Sequence, residues 1–176
     1  MTGTRPSPPA PILIGLGANL PSAAGPPVAT LEAALGRLAD AGIVTLRRSR
    51  WFTSQPVPAS DQPWFVNGVA AVATALAPAP LLAALLAVEA GFGRARGAPN
   101  AARPLDLDLL AYGDRVETPP PGAPGPILPH PRLAERAFVL LPLADVAPAW
   151  HHPVTGRALA ELIGALDKAQ IARPLE

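Results

Sequence analysis

The sequence predicts an α+β fold in which one antiparallel sheet carries two helices on the same face. Three observations favour it. Short apolar strands and two amphipathic helices follow one another in the order βαββαβ. No repeat of fixed period occurs, and the last of these strands alternates leucine with aspartate. The order is that of a split βαβ, or ferredoxin-like, arrangement.

Residues 12–53 are predicted to form a strand, a helix and a second strand. The apolar run 12–17 is typical of a buried strand, and 17–21 of a turn. Apolar residues at helical spacing predict a helix over 27–40, which starts at a proline pair and ends before a glycine. Residues 43–53 form a strand pattern with a polar middle, which suits an exposed or edge position.

The next elements complete the βαββαβ order. Residues 54–63 form a loop with three prolines, and loops of this kind are commonly binding loops. A third strand is predicted over 65–72, and a second helix starts near Pro80 and stops before Gly91. The loop 93–104 then leads into the aspartate strand.

The C-terminal third predicts helices added to this core. Residues 113–129 are rich in proline and glycine and read as loop with a short strand at Val116. After His130 and Pro131, helix in pieces is expected up to Ala147, and a last amphipathic helix over 158–166. Residues 12–176 are therefore predicted to form one domain behind a flexible arm, 1–11, which lacks the apolar core of a signal peptide. The sheet face opposite the two core helices is expected to be free for a site.

Composition limits the possible classes. The chain has 176 residues, 49% hydrophobic and 15% charged, which excludes a disordered tail protein and allows one proper core. A net charge of +1 gives no general attraction to nucleic acid or membranes. Prolines interrupt the longest uncharged run, 65–88, which argues against a membrane span. With no cysteine, nothing indicates an oxidising compartment, so a cytoplasmic location is predicted. No interface signature stands out in the sequence, so a monomer is predicted.

The aspartate strand is the main chemical signal. Leu105, Leu107 and Leu109 share one face of an extended strand, and Asp106 and Asp108 share the other. The two carboxylates would stand roughly 6 to 7 Å apart, and because like charges repel, a cation is expected beside them. An arginine, a shared proton, or one or two divalent metals would serve, and carboxylates with nucleotide phosphates suit Mg²⁺. The plain alternative is a strand with one solvated face.

Arginines flank this strand on both sides. Arg94, Arg96 and Arg103 precede it, and Arg132 and Arg136 follow. Arginine grips phosphate oxygens with a planar fork, and phosphoryl transfer depends mostly on positioning and charge neutralisation. The sequence has no Walker-type loop and no complete dinucleotide fingerprint. Each arginine taken singly also fits an ordinary solvated surface residue.

Further short motifs stand in a fixed order along the chain. They are Gly15–Leu20, Asp61–Pro63 with Phe65 and Asn67, Glu89 with Gly93 and Arg94, Arg103 with Leu105–Asp108, and Pro129–Arg132 with Arg136 and Phe138. Together these motifs resemble the 6-hydroxymethyl-7,8-dihydropterin pyrophosphokinases of folate biosynthesis, which move the β,γ-pyrophosphoryl group of ATP to a pterin hydroxymethyl group and release AMP. The resemblance runs from about 12 to 166.

The resemblance implies a role for each matching residue. Asp106 and Asp108 would hold two Mg²⁺ ions. ATP would be bound by Arg94, Arg103, His130 and Arg136, of which Arg94 and Arg103 would also steady the transferring group. The pterin pocket would be formed by Ser54, Val57, Phe65, Asn67 and Phe138. Physical chemistry agrees, because a flat heteroaromatic ring gains from stacking on phenylalanine and from an amide at its edge.

The chain departs from the family in the loop 93–104. A Trp-Gly-Pro run is usual there, and this chain has Asn100-Ala101-Ala102. With few apolar anchors, the loop is predicted to be a lid that is mobile without ligand. Two other classes stay open: a nucleic-acid-binding module, which lacks the expected aromatic signature and basic surface, and a non-catalytic small-molecule domain.

Overall fold

The computed structural model describes residues 9–93, 97 and 99–176. Its strands are β1 (Ile12–Ala18), β2 (Val44–Arg48), β3 (Phe52–Ser54), β4 (Phe65–Ala73), β5 (Asp106–Tyr112) and β6 (Ala172–Pro174). Its α-helices are α1 (Pro27–Asp40), α2 (Pro78–Gly91), α3 (Ala137–Val146) and α4 (Leu159–Gly164), with a 3₁₀ helix at Leu133–Glu135. The predicted α+β class is confirmed, and the βαββαβ order holds with the second predicted strand divided into β2 and β3.

The strands form one antiparallel sheet in the order β5-β1-β4-β3-β6, and β2 also pairs with β4. Strand β1 lies between β4 on one side and β5 on the other. The ends of these three strands position the site described below.

The predicted second strand, 43–53, is two strands. β2 pairs with one end of β4 and β3 with the other, while residues 49–51 leave the ladder between them. Ser49 fills the gap, because its N–H donates to Val69 O at 2.9 Å and its Oγ accepts from Val69 N at 3.0 Å. Trp51 then lies across Gly68, where a Cβ atom would come within 2.6 Å of the indole. A buried tryptophan thus breaks a strand that periodicity alone reads as continuous.

Helices cover both faces of the sheet. Helices α1 and α2 bury Leu31, Leu38, Leu81 and Leu85 on the first face, as the βαββαβ order predicts. On the second face, α3 and α4 pack against Leu13, Val69 and Leu110. The expectation that this second face is free was therefore wrong for the part that the C-terminal helices bury, because these helices are apolar. The part beside the aspartates borders a cavity that Gly15, Gly17 and Asn67 also line.

The predicted helix bounds hold to different degrees. Helix α1 has the predicted bounds, with Pro27 in its first turn, whereas α2 begins two residues before Pro80, at Pro78. The last helix is shorter than predicted, and Val116 lies beside an isolated Glu117–Leu128 bridge rather than in a strand. Strand β6 was not predicted, since three residues without alternation give no signal. None of the described helices combines the length and apolar character that crossing a bilayer requires.

Candidate active site

Two glycines of β1 form the floor of the site. Gly17 lies in register between Asp106 of β5 and Asn67 of β4, and Gly15 lies between Asp108 and Val69. A Cβ atom on Gly17 would stand only 3.0 Å from Asn67 Oδ1. Because glycine has no side chain, nothing from position 17 covers the sheet surface between the Asp106 carboxylate and the Asn67 amide. Sequence reasoning placed Gly17 at the end of the first strand and the start of a turn, and it missed this role. The signal was the matching Gly-x-Gly and Asp-x-Asp spacing.

The aspartates take the predicted faces of β5. Leu105, Leu107 and Leu109 are buried in the first core, and the two aspartate side chains are partly exposed on the opposite face. Each carboxylate has an arginine partner. Arg103 Nη1 lies 3.2 Å from Asp106 Oδ1, and Arg136 Nη1 lies 4.0 Å from Asp108 Oδ2. A cation was expected beside the two aspartates. In the structure, each aspartate has an arginine as its partner.

Arg136 joins the carboxylates to the aromatic part of the site. Its guanidinium lies 5.4 Å from the centre of the Phe138 ring, at the start of α3. Burial lowers the pKa of this guanidinium, and Asp108 opposes that effect. The aromatic face and the carboxylate together favour the cation in this half-buried position.

His130 stands at the end of the loop that follows β5. Its Nδ1 accepts the Arg132 N–H at 3.2 Å, which places the ring proton on Nε2. Burial lowers the pKa of His130, and the positive charge of Arg136 lowers it further. The imidazole is therefore neutral at pH 7 and keeps an Nε2–H donor for a ligand.

The five predicted pterin residues line one cleft, with a cavity of about 110 Å³. They are Ser54, Val57, Phe65, Asn67 and Phe138. Asn67 is 4% exposed, and its Nδ2 donates to the Oγ of the equally buried Ser54. The structure thus brings all five together, and Asp106, Arg103 and Arg136 border the same cleft.

A second groove lies on the other side of the aspartates. Its walls are apolar residues of α2 and of the loop after β5, including Leu86 and Ile127, and His130 stands at its edge. Asp106 borders both the cleft and this groove. The carboxylates therefore separate an amide-and-aromatic pocket from an apolar groove, so that two different ligands could meet over them.

Glu89 supports the aspartate strand from behind. It is 3% exposed on α2, and its Oε1 accepts the Leu107 N–H at 2.6 Å. Since Leu107 lies between the two aspartates, this bond holds the strand that carries both carboxylates. The contact agrees with a structural role for Glu89.

The loop 93–104 is only partly described. The predicted phosphate ligand Arg94 and its neighbour Arg96 lie outside the described residues. Residues 100–103 are hydrogen-bonded to the rest of the site, because Asn19 accepts from Arg103 N and Gln62 donates to Asn100 O. The prediction concerned apolar anchors and did not foresee that polar contacts would hold this part of the loop. The two polar anchors, Asn19 and Gln62, were not assigned a role from the sequence.

Paired carboxylates, arginines and an aromatic pocket on one sheet face define a transferase that brings a phosphorylated donor to a flat acceptor. The chain matches the 7,8-dihydro-6-hydroxymethylpterin-pyrophosphokinase (HPPK) family over residues 13–148. The chain belongs to this family. It is thereby a pyrophosphokinase of folate biosynthesis, as the sequence motifs predicted.

Individual relatives agree. A 2-amino-4-hydroxy-6-hydroxymethyldihydropteridine pyrophosphokinase of Pseudomonas aeruginosa is 42% identical over 165 residues, 92% of this chain and 95% of that protein. One of the same name from Synechocystis is 39% identical over 156 residues, 88% of this chain and 75% of that protein. Among solved structures, a Plasmodium falciparum HPPK-DHPS triple mutant has a TM-score of 0.66 at 14% identity, over 92% of this chain. This chain spans only 45% of that longer protein.

Proposed function

We propose that the chain transfers the pyrophosphoryl group of ATP to the hydroxymethyl group of 6-hydroxymethyl-7,8-dihydropterin at the cleft over β1, β4 and β5. The observation that carries the assignment to this site is the row Asn67–Gly17–Asp106, in register across three strands. This row places the Asn67 amide, which would bind the pterin, and the Asp106 carboxylate, which would bind metal, on the same surface of the sheet. Residues 12–176 would provide this activity as one domain; the monomeric state and the cytoplasmic location stay predictions.

The pterin enters the aromatic part of the cleft. Phe65 and Phe138 offer faces for stacking, and the Asn67 amide reads the polar edge of the ring. Because Ser54 Oγ already accepts one Asn67 N–H, the amide is held in one orientation. A fixed amide discriminates better than a mobile one, since a wrong ligand leaves it unpaired.

The aspartates fit a metal held jointly by protein and substrate. In the part of the chain that the structure describes, no cluster of three or more acidic or histidine ligands occurs. Two carboxylates are what Mg²⁺ usually takes from a protein when phosphates and water complete its shell. Asp106 and Asp108 would hold Mg²⁺, two ions by the resemblance, whose charge offsets that of the triphosphate.

The arginines exchange partners when ATP binds. In the structure, Arg103 pairs with Asp106 and Arg136 pairs with Asp108. When the two carboxylates hold metal, the arginines would pair with the phosphate oxygens of ATP instead. Each guanidinium then keeps an anion beside it in both states, so that the exchange costs little. Arg94 would join them from the loop 93–104.

The nucleoside fits the second groove. Leu86 and Ile127 offer apolar surface there, and His130 at the edge can donate its Nε2–H to a phosphate oxygen. The pterin hydroxyl oxygen then attacks the β-phosphorus, the bond from that phosphorus to the oxygen of AMP breaks, and the hydroxyl proton passes to solvent water. We assign no general base.

Formation of AMP is the test of this function. The purified chain with Mg²⁺ and ATP should release AMP only when 6-hydroxymethyl-7,8-dihydropterin is present, in equal amount to the pterin diphosphate. Chromatography of both products measures this ratio. Release of ADP, or AMP formation without pterin, would contradict the proposal. Binding of the pterin without any transfer would favour the non-catalytic alternative.

Asn67→Ala should weaken pterin binding by about 1 to 3 kcal/mol, the effect of leaving buried polar groups unpaired. ATP affinity should change little, because Asn67 lies on the pterin side of the floor. Isothermal titration with each ligand measures both effects. Thr53→Val is the matched control, since Thr53 precedes Ser54 and points to the other face of the sheet. Equal losses for ATP and pterin would mean that Asn67 supports the fold and not the pocket.

A further inference from the structure

We propose that Asn19 is a positioning residue for Arg103 and links this arginine to the loop that walls the pterin pocket. The loop, residues 55–64, is called here the proline loop. The inference rests on the proposed function, in which Arg103 binds phosphate and the proline loop faces the pterin. Asn19 itself does not line the cleft.

The carboxamide of Asn19 connects three segments. Its Oδ1 accepts the Arg103 N–H at 2.9 Å, and its Nδ2 lies 3.1 Å from both Gln62 Oε1 and Pro63 O. Asn19 is 3% exposed and follows directly after β1. A rigid strand end therefore carries a buried amide that uses both its acceptor and its donor groups.

The backbone of Arg103 is held from both sides. Besides the Asn19 Oδ1 contact to its N–H, its carbonyl oxygen accepts from the N–H groups of Asn19 and Leu20 at 3.2 and 3.3 Å. The arginine Cα thus has a defined place before any ligand binds. Its side chain reaches Asp106 Oδ1 at 3.2 Å from that place.

Gln62 extends the link to the loop 93–104. Its Oε1 accepts from Asn19, and its Nε2 donates to Asn100 O at 2.8 Å. Asn100 has a φ of 59°, a left-handed backbone that asparagine tolerates better than most residues. Gln62 therefore fixes Asn100 and Asn19 together, so that a movement of the proline loop also moves the segment that carries Arg103.

Two smaller or isosteric side chains could not make the same contacts at position 19. Aspartate accepts from Arg103 N–H but cannot donate to the oxygens of Gln62 and Pro63, and serine has a single donor. The geometry matters because misplacing a catalytic group by about 1 Å can cost about 100-fold in rate. Asn19 would then act on the reaction only through the position of Arg103.

A double-mutant cycle tests this. Asn19→Ala should lower kcat by about 10- to 100-fold, with smaller changes in KM for ATP and pterin. Asn19→Ala is then added to the Arg103→Ala variant, and single-turnover AMP formation is measured with excess enzyme. There the rate should fall by less than about twofold, because the side chain that Asn19 positions is gone. Equal losses in both backgrounds would overturn the proposal, and so would an unchanged kcat.

Thr30→Val is the control for general destabilisation. Thr30 is fully buried, and its Oγ1 lies 2.7 Å from Ser22 Oγ, away from Arg103. It should lower the melting temperature and leave kcat unchanged. If Asn19→Ala does not fold, Gln62→Ala replaces it in the same double-mutant cycle, since Gln62 is partly exposed. Gln62→Ala should lower kcat by about threefold, and this loss should disappear in the Arg103→Ala background. An unchanged kcat in Gln62→Ala would overturn the proposed link. A wild-type enzyme that forms no AMP would defeat the proposed function instead, and the two failures are thus distinguished.

Discussion

Asp106→Ala and Asp108→Ala should each abolish pyrophosphoryl transfer. Each removes one of the two carboxylates that would hold the metal, and with it the charge that offsets the triphosphate. Mg²⁺-dependent binding of an ATP analogue should weaken, while the fold should persist. Each substitution removes a partly exposed ion pair, to Arg103 or Arg136, and such pairs contribute about 0 to 1 kcal/mol. AMP formation and thermal melting measure the two effects.

Asp114→Ala is the control for these variants. Asp114 is an exposed carboxylate in the turn after β5, so that its removal changes the net charge equally. It should leave turnover unchanged. Near wild-type turnover of either Asp106→Ala or Asp108→Ala in Mg²⁺ would show that these carboxylates do not hold the metal.

Arg103→Ala should reduce the chemical step by about 10³-fold, the lower end for arginines that stabilise phosphoryl-transfer transition states. ATP binding should change much less, because other cations remain beside the phosphates. Arg103→Lys should recover only part of the rate, since lysine keeps the charge and loses the planar fork. Single-turnover rates and analogue affinities separate the two effects.

Arg115→Ala is the matched control, because Arg115 is exposed and pairs with Glu117 outside the cleft. It should leave both the rate and the affinity unchanged. If Arg103→Ala lowered ATP affinity as strongly as the rate, Arg103 would be a ground-state phosphate ligand and not a group that steadies the transferring phosphoryl.

The sequence by itself determined the features that depend on local periodicity. Helix α1 has the predicted bounds, and the leucine–aspartate alternation of β5 sends the side chains to the predicted faces. The family resemblance added the pterin residues, all five of which border one cleft. The helix bounds and the strand faces could be predicted because i, i+2 and i, i+4 neighbours are set by backbone geometry within one element.

Only the tertiary structure decided the features that depend on pairing between distant segments. The split of β2 from β3 follows from Trp51 packing over Gly68, and the covered part of the second face follows from the docking of α3 and α4. The glycine floor and the Asn19 contacts likewise require the register of β1 against β4 and β5. Register is a property of two strands together, and a single sequence does not state which residue of one strand stands opposite which residue of the other.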